Sequence, residues 1–249
     1  MERYLRQTLF KPLGENGQNL LQKGRVLLIG CGALGGTIAD LLVRAGVGKN
    51  GGRITIFDSD TVQLSNIHRQ TLFTEEDARQ SRLKVEAART ALLEADGATH
   101  IEIVASRFEE HNAAIAADFD ILVDATDNFP TRFLMNRTAV KFGKPFVTAG
   151  VTGASGQTMT ILPGKTACLE CFLPSTESEQ GNGVFPILGP LPQVFGALEA
   201  LETIKIISGH VESINHSLLT LDLWNNRSKQ FEIVRSESCP VCGNEAEIS

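Results

Sequence analysis

Asp58, Asn66, Arg69, Lys84 and Asp127 are the residues of this chain whose types and order suit a charged ligand. Arginine and lysine neutralise phosphate oxygens, and a carboxylate is a hard oxygen ligand suited to magnesium. Asp58 closes an apolar run about 20 residues past a glycine loop, where an acidic side chain can accept from ribose hydroxyls. Asp127 and Asn128 stand in VDATDNFPTR, just past the carboxyl end of another apolar run, on the sheet edge where ligands bind. The loop itself, GCGALGG, spaces Gly30, Gly32 and Gly35 as G-x-G-x-x-G around Ala33. Such a loop turns tightly and brings backbone amides at a helix N-terminus up to a phosphate. Taken alone, it serves a nicotinamide or flavin dinucleotide equally well. Two cations and a carboxylate around the phosphates are what transfer of a phosphorus group needs, and a hydride transferase has no such need.

Four cysteines ask for a second chemistry. Cys168 and Cys171, then Cys239 and Cys242, form two C-x-x-C pairs, and together they can enclose one ion in a tetrahedron of thiolates. Zinc suits such a set better than an iron–sulfur cluster, a disulfide pair or a lone redox C-x-x-C. With all four positions filled by sulfur no place remains for water, so the metal would staple the tail to the loop after residue 162 without taking part in catalysis. Cys31, inside the glycine loop, reads as a small buried side chain.

The elements that must position these groups follow from hydrophobic periodicity. Strands are expected over 25–29, 53–57, 101–105, 120–123 and 145–149, with helices over 34–45, 82–93 and 131–142 between them. That alternation predicts an α/β, Rossmann-like doubly wound, mostly parallel sheet. After residue 155 the character changes: antiparallel strands over 157–162, 218–224 and 230–234 surround one helix over 194–207 and extend the sheet to a zinc-stapled tail. The expected organisation is one unit of 249 residues: an N-terminal helical arm (1–24), a nucleotide-binding core (25–155), and a zinc-binding and carrier-docking part (156–249). At 42% apolar content the chain can bury one good core, and a net charge of −6 works against a nucleic-acid groove. The charged start MERYLRQ lacks the apolar stretch of a signal peptide, and no run is long enough to span a bilayer, so a cytoplasmic protein that touches no membrane is expected.

The combination RYLRQ, GCGALGG, DSDTVQLSNIHRQ, Lys84, DATDN, the two cysteine pairs and GALEALETIK resembles the ThiF/MoeB/HesA family, bacterial and archaeal relatives of ubiquitin-activating enzymes, over nearly the whole chain. Members are adenylyltransferases. They use ATP with magnesium to adenylate the C-terminal glycine of a small ubiquitin-like sulfur carrier of the ThiS or MoaD kind, releasing pyrophosphate, in thiamin, molybdopterin or related biosynthesis. The resemblance implies that Asp58 holds the ribose, that Asn66, Arg69 and Lys84 contact the phosphates, that Asp127 binds magnesium and that Asn128 lines the nucleotide site. It also implies a homodimer in which Arg6 reaches the partner subunit's site, and an external sulfur donor.

Local alternatives stand beside these roles. Asp60 and Ser65 serve either the site or a turn or helix cap. Arg6 taken alone is a solvated charge. Lys84 at a helix start opposes the macrodipole, a cost that a bound phosphate would relieve. LPGKT at 162–166 is no P-loop, because position 159 holds Met where that loop needs glycine. Ala33 departs from the family's second consecutive glycine, and the run SEQGNGVFPILGP lacks the cysteine that relatives often carry there. The chain is therefore expected to stop at the acyl-adenylate. A nicotinamide oxidoreductase, or a relative that adenylates another target such as tRNA, are the competing readings.

Overall fold

Alternation along the first strands builds two cores at once. In the computed structural model, which describes residues 2–173 and 185–243, Val26 and Leu28 of β1 (Arg25–Ile29) join one apolar cluster. Leu27 and Ile29 join another on the opposite face, as successive side chains of a strand must. β2 (Arg53–Phe57), β3 (Ile101–Val104), β4 (Ile121–Asp124) and β5 (Phe146–Thr152) pair with β1 or with one another in parallel. β6 (Ser155–Ile161), β7 (Leu218–Asp222) and β8 (Arg227–Phe231) continue the same sheet antiparallel. The order β3-β2-β1-β4-β5-β6-β7-β8 places the reversal of strand order between β1 and β4, the point outside whose carboxyl ends ligands bind in such sheets.

Helices cover both faces. α1 (Leu5–Thr8) and α2 (Gly14–Lys23) form the arm; α3 (Ala33–Ala45), α4 (Glu75–Arg79), α5 (Lys84–Ala95), α6 (Phe129–Phe142) and α7 (Pro190–Ile207) follow. α3, α5 and α7 supply Ile38, Leu42, Val85, Leu92 and Phe195 to the first core. α6 and the 3-10 segment Ala113–Asp118 supply Phe133, Met135 and Ala116 to the second, which also takes in Cys168, Cys239 and Cys242. The arm is tied down by side chains. Tyr4 donates to Asp96 at 3.1 Å, Arg3 pairs with the same carboxylate, and Gln7 donates to the Ala45 carbonyl at 2.9 Å.

The late strands differ most from expectation. The strand expected over 218–224 stops at Asp222, because the Asn225 amide and side chain both bind that carboxylate and Asn226 takes φ +54° to close the hairpin. Its partner starts at Arg227, three residues before the expected 230, and every residue of it is exposed, so no buried face marks it in the sequence. α7 begins at Pro190, a residue whose fixed φ and missing N–H suit a first turn. α5 runs Lys84–Ala95, two residues later than expected, since Leu83 bridges to Thr61 before the helix starts. No helix among the described residues is long and apolar enough to cross a membrane.

Candidate nucleotide cleft

A cleft of about 1810 Å³ opens over the carboxyl ends of β1, β2 and β4 and runs on along β5, β6 and β7. Its floor begins at the glycine loop. Gly30 takes φ +97°, and a Cβ on Gly35 would stand 2.0 Å from the Gly30 carbonyl, so α3 and the loop approach each other only without that carbon. Ala33 is the first residue of α3 and keeps ordinary helical geometry, so the departure from a second glycine needs no unusual backbone.

Asp58 sits past the end of β2, where its Oδ2 accepts from the Cys31 amide at 2.7 Å and its Oδ1 from the Asp60 amide at 2.8 Å. Burial pushes this carboxyl up, and Lys84 with the two amides holds it back. Lys84, 7% exposed at the start of α5, places Nζ 2.7 Å from Asp60 and 4.0 Å from Asp58. The cost of a cation at this helix start is thus already met by two carboxylates, not left for a phosphate to relieve. Asp60 caps no helix; it holds Lys84 by its side chain and accepts the Lys84 amide at 2.9 Å.

Arg69 lines the cleft and is braced by its own segment. Its guanidinium donates to Asn66 Oδ1 at 2.8 Å and to the Ser65 carbonyl at 3.3 Å, while Gln193 of α7 binds its backbone oxygen at 2.8 Å. Asn66 is not among the cleft-lining residues; its side-chain oxygen is engaged in holding Arg69. Asp127 is exposed in the cleft with no hydrogen bond or ion pair to its carboxylate among the described residues, so both oxygens are open to a cation. Asn128 caps α6, accepting from the Thr131 amide at 3.0 Å, and borders the cleft as well. Phe57, Phe108 and Phe129 give the cleft an apolar end able to cover a planar ring. Arg6 lies exposed on the arm and does not line the cleft of its own chain.

Beneath these groups lies a layer the sequence reading passed over. Arg132, the last residue of VDATDNFPTR, donates from Nε to Asp124 Oδ2 at 2.6 Å, and Asp124 also accepts from Thr126 and Thr148 at 2.6 and 2.7 Å. Glu199 of α7 is fully buried, with both carboxylate oxygens unpartnered among the described residues, near Asp124 and Arg132. Burial pushes its carboxyl well above the usual range, with Asp124 adding to the rise and Arg132 opposing it. The only sequence signal for this layer is a charged residue recurring on an apolar helix.

The four paired cysteines meet outside the lining of the cleft. Cys168 and Cys239 Sγ are 3.6 Å apart, Cys171 and Cys242 3.4 Å, and all four sulfurs lie within 4.8 Å of one another. Zinc–sulfur bonds of about 2.3 Å demand tetrahedral sulfur separations of roughly 3.8 Å, and the pairs at 3.4, 3.6 and 4.0 Å lie close to that value. Cys31 stands apart, buried in the glycine loop; burial, with Asp58 nearby, pushes its thiol up. Part of SEQGNGVFPILGP, residues 178–184, and the final residues of the tail lie outside the described residues.

Comparison with known proteins matches the ThiF family to residues 4–241. The chain belongs to that family. It is 35% identical to the sulfur carrier protein ThiS adenylyltransferase of Bacillus subtilis, over 97% of this chain and 71% of that one. It is 34% identical to the ThiS adenylyltransferase of Escherichia coli over 97% of this chain and 94% of the relative. Identity to the heterocyst protein HesA of Trichormus variabilis is also 34%, covering 99% and 90%. Among solved structures, E. coli MccB with ATP superposes with a TM-score of 0.82 at 24% identity, covering 97% of this chain and 75% of that one, which establishes the shared fold.

Proposed function

We propose that this ThiF-family protein adenylates the C-terminal glycine carboxylate of a small ubiquitin-like sulfur carrier, consuming ATP and releasing pyrophosphate. The observation that carries the reading is the gathering of Arg69, Lys84, Asp127 and the glycine loop around one cleft. A nicotinamide enzyme would leave those cations and the free carboxylate unexplained. The names of the relatives support the carrier as the acceptor. Asp58 takes the ribose, the loop amides and α3 take phosphate, and Arg69 and Lys84 neutralise charge on the transferring and departing groups. Lys84 exchanges its contact with Asp60 for phosphate oxygen when the nucleotide enters.

The carrier's carboxylate oxygen attacks the α-phosphorus in line, and the bond from that phosphorus to the pyrophosphate oxygen breaks. No general base is required, because the nucleophile is already ionised at neutral pH, and catalysis is positioning and electrostatics. Asp127, with both oxygens open, would hold magnesium, which supplies further charge neutralisation on the phosphates when bound. Cys168, Cys171, Cys239 and Cys242 would hold zinc as a closed structural site. Arg6, outside its own cleft, would serve the partner subunit of a homodimer. With Cys31 buried and its thiol pushed up, the adenylate passes to an external sulfur donor, and the protein works in the cytoplasm with neither nucleic acid nor membrane as partner.

Pyrophosphate exchange tests the reading. With candidate carriers offered one at a time, exchange should appear with one intact carrier and vanish when its C-terminal glycine is removed. Exchange indifferent to that glycine, or none with any carrier, would exclude the assignment.

A further inference from the structure

Arg132 is a buried cation held by three hydrogen bonds at the border of the cleft, and part of it is unspent. A guanidinium carries five N–H donors. Nε donates to Asp124 at 2.6 Å, and Nη2 to the carbonyls of Thr126 at 3.0 Å and Ala149 at 2.8 Å. Nη1 donates to no group among the described residues, although the side chain is only 10% exposed and borders the cleft. Phe129 covers one face of the fork, with the Arg132 Cζ 5.5 Å from its ring centre. The Nη1 edge looks past Gly150, whose missing side chain clears the way: a Cβ there would stand 3.1 Å from Nη1.

The place is as telling as the free donors. Glycine loop, Asp58 and Lys84 occupy the β1–β2 end of the cleft, and its other arm passes Gly150, Gln157 and Thr220 on β5, β6 and β7. Arg132 is tied to Thr126, past the end of β4, and to Ala149 on β5, and β4 lies between β1 and β5 in the sheet. A protein tail approaching a nucleotide held at the first end must come along the second, carboxylate foremost. We infer that the Nη1 edge of Arg132 binds the incoming C-terminal carboxylate and orients it toward the α-phosphorus, a role that rests on the carrier-adenylation reading. Asp124 and the two carbonyls fix the guanidinium plane, so little rotamer entropy is lost when the anion binds. Glu199 lies enclosed near this pair, and burial together with Asp124 pushes its carboxyl up, away from the charged form that would repel a carboxylate.

The test compares a ThiS-type carrier ending in glycine with the same carrier ending in glycinamide. Calorimetry is run on the dimeric or monomeric enzyme as isolated, loaded with α,β-methylene-ATP so that no transfer occurs. Wild type should prefer the carboxylate form. Arg132→Lys, which keeps a cation beside Asp124, should cut that preference about tenfold, as expected for one charge-assisted contact. Gly150→Ala removes no donor or acceptor and sets a Cβ 3.1 Å from Nη1, so it answers the objection that Arg132→Lys disturbs folding; it should cut the preference in the same direction. Affinities for the glycinamide form and for α,β-methylene-ATP should hold in both variants, which a purely structural role would not predict. An unchanged preference in both variants, or a loss of nucleotide affinity with the preference intact, overturns the inference. Wild type without carrier-dependent pyrophosphate exchange removes the parent reading along with it, whereas exchange with an unchanged preference removes this inference alone.

Discussion

Replacing Asp96 by Asn should cost the fold about 2 kcal/mol at pH 7, and the cost should fade in acid. Asp96 follows α5 and gathers the arm: Lys49 Nζ lies 2.5 Å from Oδ2, Tyr4 donates to that oxygen at 3.1 Å and Arg3 pairs with it, while the Ala98 amide donates to Oδ1 at 3.2 Å. Burial alone would raise this carboxyl, but the bonds from Lys49, Ala98 and Arg3 outweigh it and hold it at about 2 against a usual 3.8. At about 1.4 kcal/mol for each tenfold change in proton affinity, the ionised form contributes roughly 2.4 kcal/mol, trimmed to about 2 because Arg3 is half open to solvent and its pull is screened. A carboxyl whose folded value is depressed contributes fully above its unfolded value and loses the contribution as pH falls toward the folded one. Near pH 3 only about half should remain. Urea unfolding of wild type and Asp96→Asn at pH 7, 5 and 3 reads the gap directly. A gap below about 0.5 kcal/mol at pH 7, the level of an ordinary surface change, would refute the argument, as would a gap that stays constant down to pH 3.

Four further outcomes follow. Asp127→Ala should weaken magnesium-dependent ATP binding in calorimetry, wild type showing little affinity for NAD; tight NAD binding indifferent to magnesium would contradict the site. One zinc per chain is expected by elemental analysis, with Cys239→Ser losing both metal and several degrees of melting temperature, as for a closed structural site. Glu199→Gln should raise the melting temperature at pH 7 and leave it unchanged near pH 4, because a carboxyl with a raised folded value favours the fold below its unfolded value and loses that advantage as pH climbs. Arg6→Ala and Asp127→Ala should each be nearly inactive alone, yet a co-refolded equal mixture should recover about a quarter of the sites if Arg6 serves the partner subunit; simple averaging of the two parents would place Arg6 elsewhere.

The parallel half of the sheet was legible because β1, β2 and β4 are buried on both faces and read as apolar runs, broken in β2 only by buried Thr55 and bounded by glycine or acid. β8 was not, since RSKQF lies wholly exposed on an edge, where no periodicity is imposed by a core. Asp58, Lys84 and Asp127 do line one cleft, as their residue types and places at strand or helix ends lead one to expect. Their mutual geometry was not legible: nothing in the spacing says that Asp60 grips Lys84 while Asn66 turns its oxygen to Arg69. Glu199 escaped for a related reason. A glutamate on a helix ordinarily marks the solvent face, and only the packing of α7 on the sheet shows this one to be enclosed.

α6 joins the cleft to the cysteine cluster. Its first turn carries Asn128 as cap, beside Asp127, and its second holds Arg132 against Asp124. Its third turn meets the cysteine cluster: fully buried Asn136 accepts from the Leu169 amide at 3.0 Å, and Arg137, which borders the cleft, pairs with Glu170 at 3.0 Å. Leu169 and Glu170 are the two residues between Cys168 and Cys171, so whatever fixes that cysteine loop also fixes the outer half of α6. A displacement there need not unfold the protein to matter, because in-line transfer depends on reacting atoms held near 3–3.5 Å, and an error of about 1 Å costs on the order of a hundredfold. The cysteine cluster is therefore placed to influence the cleft through helix position, although none of its sulfurs borders that cleft.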